Sequence, residues 1–224
     1  GSAVAGVDAD DGDALAYSIE SGNDGSLFGI DAGTGQLAVA TAAVDYEARS
    51  SYTLVVRATD DSGLFATATA TVTVTNANDA PVLADASRTV AENAAVSTAV
   101  GGALAFSDQD NGQTHTFAIT AGNDGGAFAV DPSGGQVTVA ASVLNFEAQS
   151  AFSLTVQVTD SGADELSDSA TLAVAVTDEN EPPAVLAGQA FTVPENSAVG
   201  TQAEAGGGAA AVSASDVDAG DVLA

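Results

Sequence analysis

The sequence predicts an all-β protein built from tandem copies of one unit of about a hundred residues. Three observations carry that expectation. A long block returns 100 positions later without a gap, Tyr17–Gly25 as Phe117–Gly125 and Tyr52–Asp60 as Phe152–Asp160. Within the block, apolar and polar residues alternate, which is the period of a half-buried strand. Clusters of Gly, Asn and Asp interrupt these runs at roughly 8–12 residues, the spacing of a sandwich or barrel.

In chain order, Tyr17-Ser-Ile-Glu-Ser-Gly-Asn-Asp-Gly25 is the first stretch of the repeated block. Phe28-Gly-Ile-Asp31 and Gly35-Gln-Leu-Ala-Val-Ala40 return as Phe128–Asp131 and Gly135–Ala140. Val44-Asp-Tyr-Glu-Ala48 returns as Leu144-Asn-Phe-Glu-Ala148. In the long strand Tyr52, Leu54, Val56 and Ala58 share one face, and Phe152, Leu154, Val156 and Val158 repeat it. The Thr- and Val-rich runs Thr67–Thr75 and Ala170–Thr177 alternate in the same way. Thr89-Val-Ala-Glu-Asn93 returns as Thr192-Val-Pro-Glu-Asn196, which begins a third, partial copy. The tract Gly206-Gly-Gly-Ala-Ala-Ala211 reads as a loop insertion in that copy. A unit of about 100 residues can bury its own core.

Charge narrows the function. The 224 residues hold 31 acidic side chains and three basic ones, Arg49, Arg57 and Arg88, for a formal net charge of -28. Nothing here could neutralise phosphates, so nucleic acid is not an expected partner, and neither is an anionic membrane. No apolar run approaches the ~18 residues of a spanning helix. Cysteine is absent, so there is no disulfide framework and no thiolate chemistry. The piece begins and ends inside a repeat and reads as part of a longer protein. His115 is the only histidine, and no serine stands in a nucleophile signature, so no enzyme is expected.

The acids are patterned. Asp8-Ala-Asp10, Asp108-Gln-Asp110 and Asp216-Val-Asp218 are i, i+2 pairs, each followed closely by glycine. One such pair reads as a polar turn in which aspartate caps its own backbone. Three copies at domain spacing point instead to a hard cation that relieves carboxylate repulsion. The EF-hand loop does not fit. Counted from Asp8, glycine falls at position five and Ile19 at position twelve, where the motif needs glycine at six and glutamate at twelve. The nonapeptide calcium roll does not fit either, because Gly-Asn-Asp-Gly occurs once per unit.

Four further motifs, with Asp-x-Asp making five in order over nearly the whole chain, resemble those of cadherin repeats. Pro194-Glu195-Asn196 and the weaker Ala91-Glu92-Asn93 are similar to the first-strand Pro-Glu-Asn. Asp45-Tyr46-Glu47 and Asn145-Phe146-Glu147 are similar to Leu-Asp-x-Glu. Arg57–Asp60 and Gln157–Asp160 are similar to the Ala-x-Asp that ends the long strand. Asn76-Ala-Asn-Asp-Ala-Pro81 and Asp178-Glu-Asn-Glu-Pro-Pro183 are similar to the Asp-x-Asn-Asp-x-Pro linker.

The resemblance implies seven-stranded Greek-key β-sandwiches, immunoglobulin-like and cadherin-like, with Ca2+ at the junctions between repeats. It divides the chain into repeat 1 at 1–80, lacking its first strand, a complete repeat 2 at 81–182 and a partial repeat 3 at 183–224. At the first junction it implies Asp45, Glu47, Asn76, Asn78 and Asp79 with Asp108, Asp110 and Asp160 as ligands. At the second it implies Glu92, Glu147, Asp178, Asn180 and Glu181 with Asp216 and Asp218. Asp8, Asp10, Asp60 and Glu195 hold matching motif positions and complete the candidate metal set. Asn76, Asn145 and Glu181 depart from the motif's aspartates, so incomplete or weaker sites are expected. The implied function is a calcium-rigidified segment of a large bacterial surface or secreted adhesin, extracellular, acting as spacer or adhesive module. Its expected partners are calcium, neighbouring repeats, and a homophilic contact or surface glycan. The alternative is a module that binds an exopolysaccharide or a protein. A further expectation is that residues 183–215 of one molecule complete repeat 1 of another by strand addition. The other possibility is a folding unit that runs from one Asp-x-Asp to the next.

Overall fold

The computed structural model describes residues 3–8, 14–185, 187–205, 208–209 and 212–218. They form two compact units. One comprises residues 1–80 with 108–113 and 161–166; the other comprises 81–107, 114–160 and 167–224.

In the first unit the strands are β1 (Ala16–Ser21), β2 (Phe28–Ile30), β3 (Leu37–Val39), β4 (Ser51–Thr59) and β5 (Phe65–Thr73). They form an antiparallel sheet β1-β4-β5 and a hairpin β2-β3. The alternation expected over 52–59 is observed as far as Val56, beyond which Arg57, Ala58 and Thr59 are all half-buried. Tyr52, Leu54 and Val56 are buried, and Phe28 packs on them with its ring edge-on to Tyr52 at 5.1 Å. Val4, Tyr17, Ile19, Ala70, Val72 and Val74 pack half-buried around this cluster.

The second unit carries β6 (Val82–Leu83), β7 (Ala86–Ala91), β8 (Phe106–Ser107), β9 (His115–Ala121), β10 (Phe128–Val130), β11 (Val137–Val139), β12 (Ala151–Asp160) and β13 (Ser167–Thr177). The main sheet runs β7-β13-β12-β9, with β7 parallel to β13 and the other pairs antiparallel. The hairpin β10-β11 and the antiparallel pair β6-β8, whose strands flank β7 in the chain, supply the rest. The core is larger. It takes Val90 from β7, Phe117 from β9, Phe128 from β10, Val137 and Val139 from β11, and the inward faces of β12 and β13. Burying each such side chain stabilises the fold by about 1.5–3 kcal/mol before entropy is counted.

The Gly-Asn-Asp-Gly turn has a structural task. The Asn23 amide donates to the Phe28 carbonyl at 2.7 Å, and its oxygen accepts the Phe28 N–H at 3.0 Å. Asn123 holds Phe128 in the same way at 2.8 and 3.0 Å. Both preceding strands carry a bulge, at Glu20 and Thr120. Gly22 and Gly122 follow at φ 81° and 77°, and a Cβ there would meet the carbonyl oxygens of Thr53 and Ser153 at 2.0 and 1.9 Å.

The remaining residues of the second unit form β14 (Ala184–Val185), β15 (Phe191–Thr192), β16 (Glu204–Ala205), β17 (Gly208–Ala209) and β18 (Ala214–Ser215). β14 pairs with β18, and β15-β16-β17 form a small sheet. The Gly206–Ala211 tract is therefore not a plain loop, because Gly208–Ala209 pairs with β16. Its other residues lie outside the described ones. No helix is long and apolar enough to cross a membrane.

Candidate metal centre

The site in the second unit starts at the end of β7. Glu92 N–H bonds to the Thr177 carbonyl, so the parallel β7–β13 ladder delivers the Glu92 side chain inward. Glu92 is only 1% exposed. Its carboxylate accepts the Phe146 N–H and the Glu179 N–H, both at 2.8 Å. Those two backbone donors hold its pKa below the usual glutamate value despite burial. One carboxylate thus pins the Asn145-Phe146-Glu147 segment and the 178–181 segment together.

The consequence is convergence. Glu92, Glu147, Asp178 and Glu181 each place a carboxylate oxygen within 4.8 Å of the others. Among the described residues no other acidic set comes so close. Burial, opposed in part by the Asn93 amide, raises the Glu181 pKa, and the carboxylates of Glu92 and Asp218 add to the rise. Glu181 N–H donates to Asp218 Oδ2 at 2.8 Å, and Asp218 N–H donates to Asp216 Oδ1 at 3.1 Å. Two buried oxygens, Glu181 Oε2 and Asp218 Oδ1, accept no hydrogen bond. Buried acceptors are nearly always satisfied. Converging carboxylates with orphaned oxygens fit a hard divalent cation, which takes six to eight oxygens.

The homologous set in the first unit is arranged differently. Asp110 is 6% exposed. Its Oδ2 accepts the Asp79 N–H at 2.8 Å, as Asp218 does from Glu181. Its Oδ1, however, accepts the Asn76 amide at 2.8 Å. The Asp79 N–H and the Asn76 amide together lower the Asp110 pKa. Asn78 donates to the Ala163 carbonyl and accepts from the Gln113 amide. Glu47 is raised by desolvation first and then by the Asp110, Asp79 and Asp45 carboxylates. The unsatisfied buried atom here is a neutral one, Gln113 Oε1.

Other expected ligands have local partners. Asp45 Oδ1 accepts the Ala48 N–H, and Asn145 does the same for Ala148. Asp60 Oδ1 accepts the Leu64 N–H across the β4–β5 turn. Asp108 Oδ1 accepts the Asp110 N–H, so the Asp-x-Asp pair is also the self-capped turn of the simpler reading. Asp160 is buried at the end of β12, and the Asn180 amide reaches the Glu181 carbonyl. Asp8 and Glu195 are exposed, and neither joins the four converging carboxylates. Asp10 lies outside the described residues. Two contributors escaped the sequence reading, Asn93 and Gln113. The signal available for each was an amide adjacent to, or three residues after, a candidate acid.

The cadherin domain family model matches residues 2–75 and 86–177. Human protocadherin Fat 1 is 33% identical over 173 residues, covering 75% of this chain and 4% of the relative. Mouse protocadherin-16 is 35% identical over 184 residues, covering 77% of this chain and 6% of the relative. The chain therefore spans a small fraction of the length of these curated relatives. Among solved structures, mouse cadherin-23 EC22-24 matches with a TM-score of 0.65 at 26% identity, over 97% of this chain and 70% of that one. Human protocadherin-24 EC1-2 matches at a TM-score of 0.59 and 22% identity, covering 75% of this chain and 84% of that one, a likeness of fold.

Proposed function

The chain belongs to the cadherin family, and on that premise we propose that it is a calcium-stiffened repeat segment of a large bacterial cell-surface or secreted adhesin. Cadherin domains are extracellular adhesion modules and not enzymes, and this chain is one. The finer reading is carried by one observation, the convergence of Glu92, Glu147, Asp178 and Glu181 beside two orphaned buried oxygens. The bacterial assignment rests on the Ala and Gly bias and the absence of lysine.

When bound, calcium supplies positive charge and positions for six to eight oxygens. Glu92, Glu147, Asp178 and Glu181 would hold it, with Asp218 beside them; Asn180 and Asp216 belong to the wider set. In the first unit the candidates are Asp45, Glu47, Asn76, Asn78, Asp79, Asp108 and Asp110; in the second, Asp160 is a further candidate. The repeats we assign are 1–80, 81–182 and 183–224. Without metal the clustered carboxylates repel and loosen the 178–181 segment. With metal that repulsion is neutralised, and the segment stiffens as a spacer or adhesive module. Affinity in the range of extracellular modules is about 10⁻⁴–10⁻³ M. At a hundred times the dissociation constant one site adds about 2.7 kcal/mol of stability.

Small-angle scattering and melting curves in calcium and in chelator test this. A higher Tm and a stiffer profile in calcium are expected. Identical curves in both would overturn it.

The second reading is a glycan- or protein-binding module. A groove of about 510 Å³ in the first unit favours it, lined by Val4, Val7, Leu15, Tyr17, Leu64 and Phe65 among others. Saturable binding on a glycan array that persists in chelator would support that reading over the first.

A further inference from the structure

The two acidic clusters occupy matching motif positions and differ, among other places, at the residue that opens the linker motif. In the first unit the residue opening the linker motif is Asn76, and its amide donates to Asp110 Oδ1 at 2.8 Å. In the second unit the opening residue is Asp178, and the matching oxygen, Asp218 Oδ1, is buried without a hydrogen-bond partner. The neighbouring bond is the same in both. Asp79 N–H reaches Asp110 Oδ2, and Glu181 N–H reaches Asp218 Oδ2, each at 2.8 Å. This backbone bond is therefore shared by the two clusters, while the side chains differ at the opening position, Asn76 against Asp178, and again at Asp79 against Glu181.

We propose that residue 76 decides cation loading: the Asn76 amide takes the place of a cation beside Asp110, leaving that position cation-independent, while the Asp178 cluster loads. This deepens the calcium reading above and rests on it. The chemistry is one of donors and charge. A carboxamide N–H is a hydrogen-bond donor that satisfies a carboxylate oxygen without any ion. An aspartate at the same place offers only acceptors, so it cannot itself satisfy a neighbouring carboxylate oxygen, whereas a cation held between them can. The exchange also removes one negative charge from the first cluster, and ligand charge is a principal control of calcium affinity. Gln113 extends the same pattern, since its amide donates to Asn78 Oδ1. Amides thus hold the first cluster together where carboxylates converge in the second.

The experiment uses the full chain and two substitutions, Asn76→Asp and Asp178→Asn, with calorimetric calcium titration and melting in chelator. Asn76→Asp is expected to add a calcium equivalent to the stoichiometry. Asp178→Asn is expected to weaken the tightest phase by roughly tenfold or more, as loss of a charged ligand does. In chelator the signs reverse. Asn76→Asp lowers Tm, because it deletes the bond to Asp110 and sets two carboxylates against each other. Asp178→Asn raises Tm, because it removes a charge and brings an amide to the cluster. If Asn76→Asp leaves both stoichiometry and chelator Tm unchanged while the wild type still binds calcium, the inference fails and the calcium reading survives. If neither wild type nor variants bind calcium, both fall.

Discussion

The two units use one strand pattern and reach different cores. In β13 the inward residues Ala170, Leu172, Val174 and Val176 are all buried. Their counterparts on and just beyond β5 are Ala68, which is exposed, and Ala70, Val72 and Val74, which are half-buried. The strands match in alternation and in antiparallel pairing with the preceding strand. They differ in what lies beside them. β7 runs parallel along β13 and adds Val90 to the core, whereas among the described residues β5 pairs only with β4. An alternating sequence makes a strand amphipathic, but its apolar face is buried only by what covers it. The edge of β5 remains polar in character, a run of Thr and Ala, which suits an unpaired edge.

The largest test of that comparison removes the centre of each core. Leu54 and Leu154 are both 0% exposed. Leu154→Ala is expected to cost about 3–5 kcal/mol and Leu54→Ala about 2–3 kcal/mol, because a looser surround collapses more easily onto the cavity. Urea denaturation followed separately by Phe and Tyr signals would check the order. Equal losses would mean that the thinner core is packed as rigidly as the thicker one.

Next come the turns the units share. Gly122→Ala forces a side chain against the Ser153 carbonyl at a positive φ, and should cost about 1–3 kcal/mol. Gly22→Ala should match it, since its surroundings are the same. Asn123→Ala and Asn23→Ala each lose two hydrogen bonds to one residue, at about 1–2 kcal/mol per variant. Melting temperatures that moved in only one unit would separate local turn strength from the support of the surrounding core.

The pH response sharpens the contrast between the acidic clusters. Glu47 and Glu181 have raised pKa values in the folded chain. Their contribution is fully present below the ordinary glutamate value and is lost as pH rises through the raised folded one. Glu92 and Asp110 have lowered values, so their contribution is present above the ordinary carboxylate range and is lost as pH falls through the lowered ones. In chelator, stability should therefore peak in the weakly acidic range and decline toward neutrality. Calcium should remove the decline. A Tm in chelator that is flat from the carboxylate range to neutral pH would contradict this.

The smallest expected effect is Arg57→Gln, the residue at the matching position 157. Arg57 pairs with Glu20 at 3.0 Å and lies over the Phe65 ring at 3.7 Å. Both partners in the ion pair are about a third exposed, so the pair is worth about 0.2–1 kcal/mol and is weakened by salt. A larger loss in a salt-dependent melt would make this edge of the first unit more important than its exposure suggests.

Much of this was legible in the residues. The 100-residue offset carried the long strands, their inward faces and the paired aromatic contacts, since Phe128–Phe152 and Phe28–Tyr52 both meet edge-on at 5.1 Å. The acids that converge in the second unit were all among those marked by motif. What the motifs could not say was which of these side chains bond to the backbone. Asp45, Asp60 and Asp108 each accept a nearby N–H, a use that any turn aspartate can have. The Asn76–Asp110 contact spans 34 residues, and Glu92 reaches 54 residues to Phe146 and 87 to Glu179. No spacing rule reaches so far.

By itself the sequence determined the period of the strands, the length of the repeating unit, the acidic balance and the list of carboxylates able to serve. Those follow from local sterics and from side-chain chemistry, which act between neighbours along the chain. Only the tertiary structure decided that Glu92 is buried between two segments, which four of the expected acids lie within reach of one another, and that an amide fills the matching place beside Asp110. Hydrogen bonds and charge contacts act over a few ångströms of space, and the path of the backbone determines which distant residues come that close.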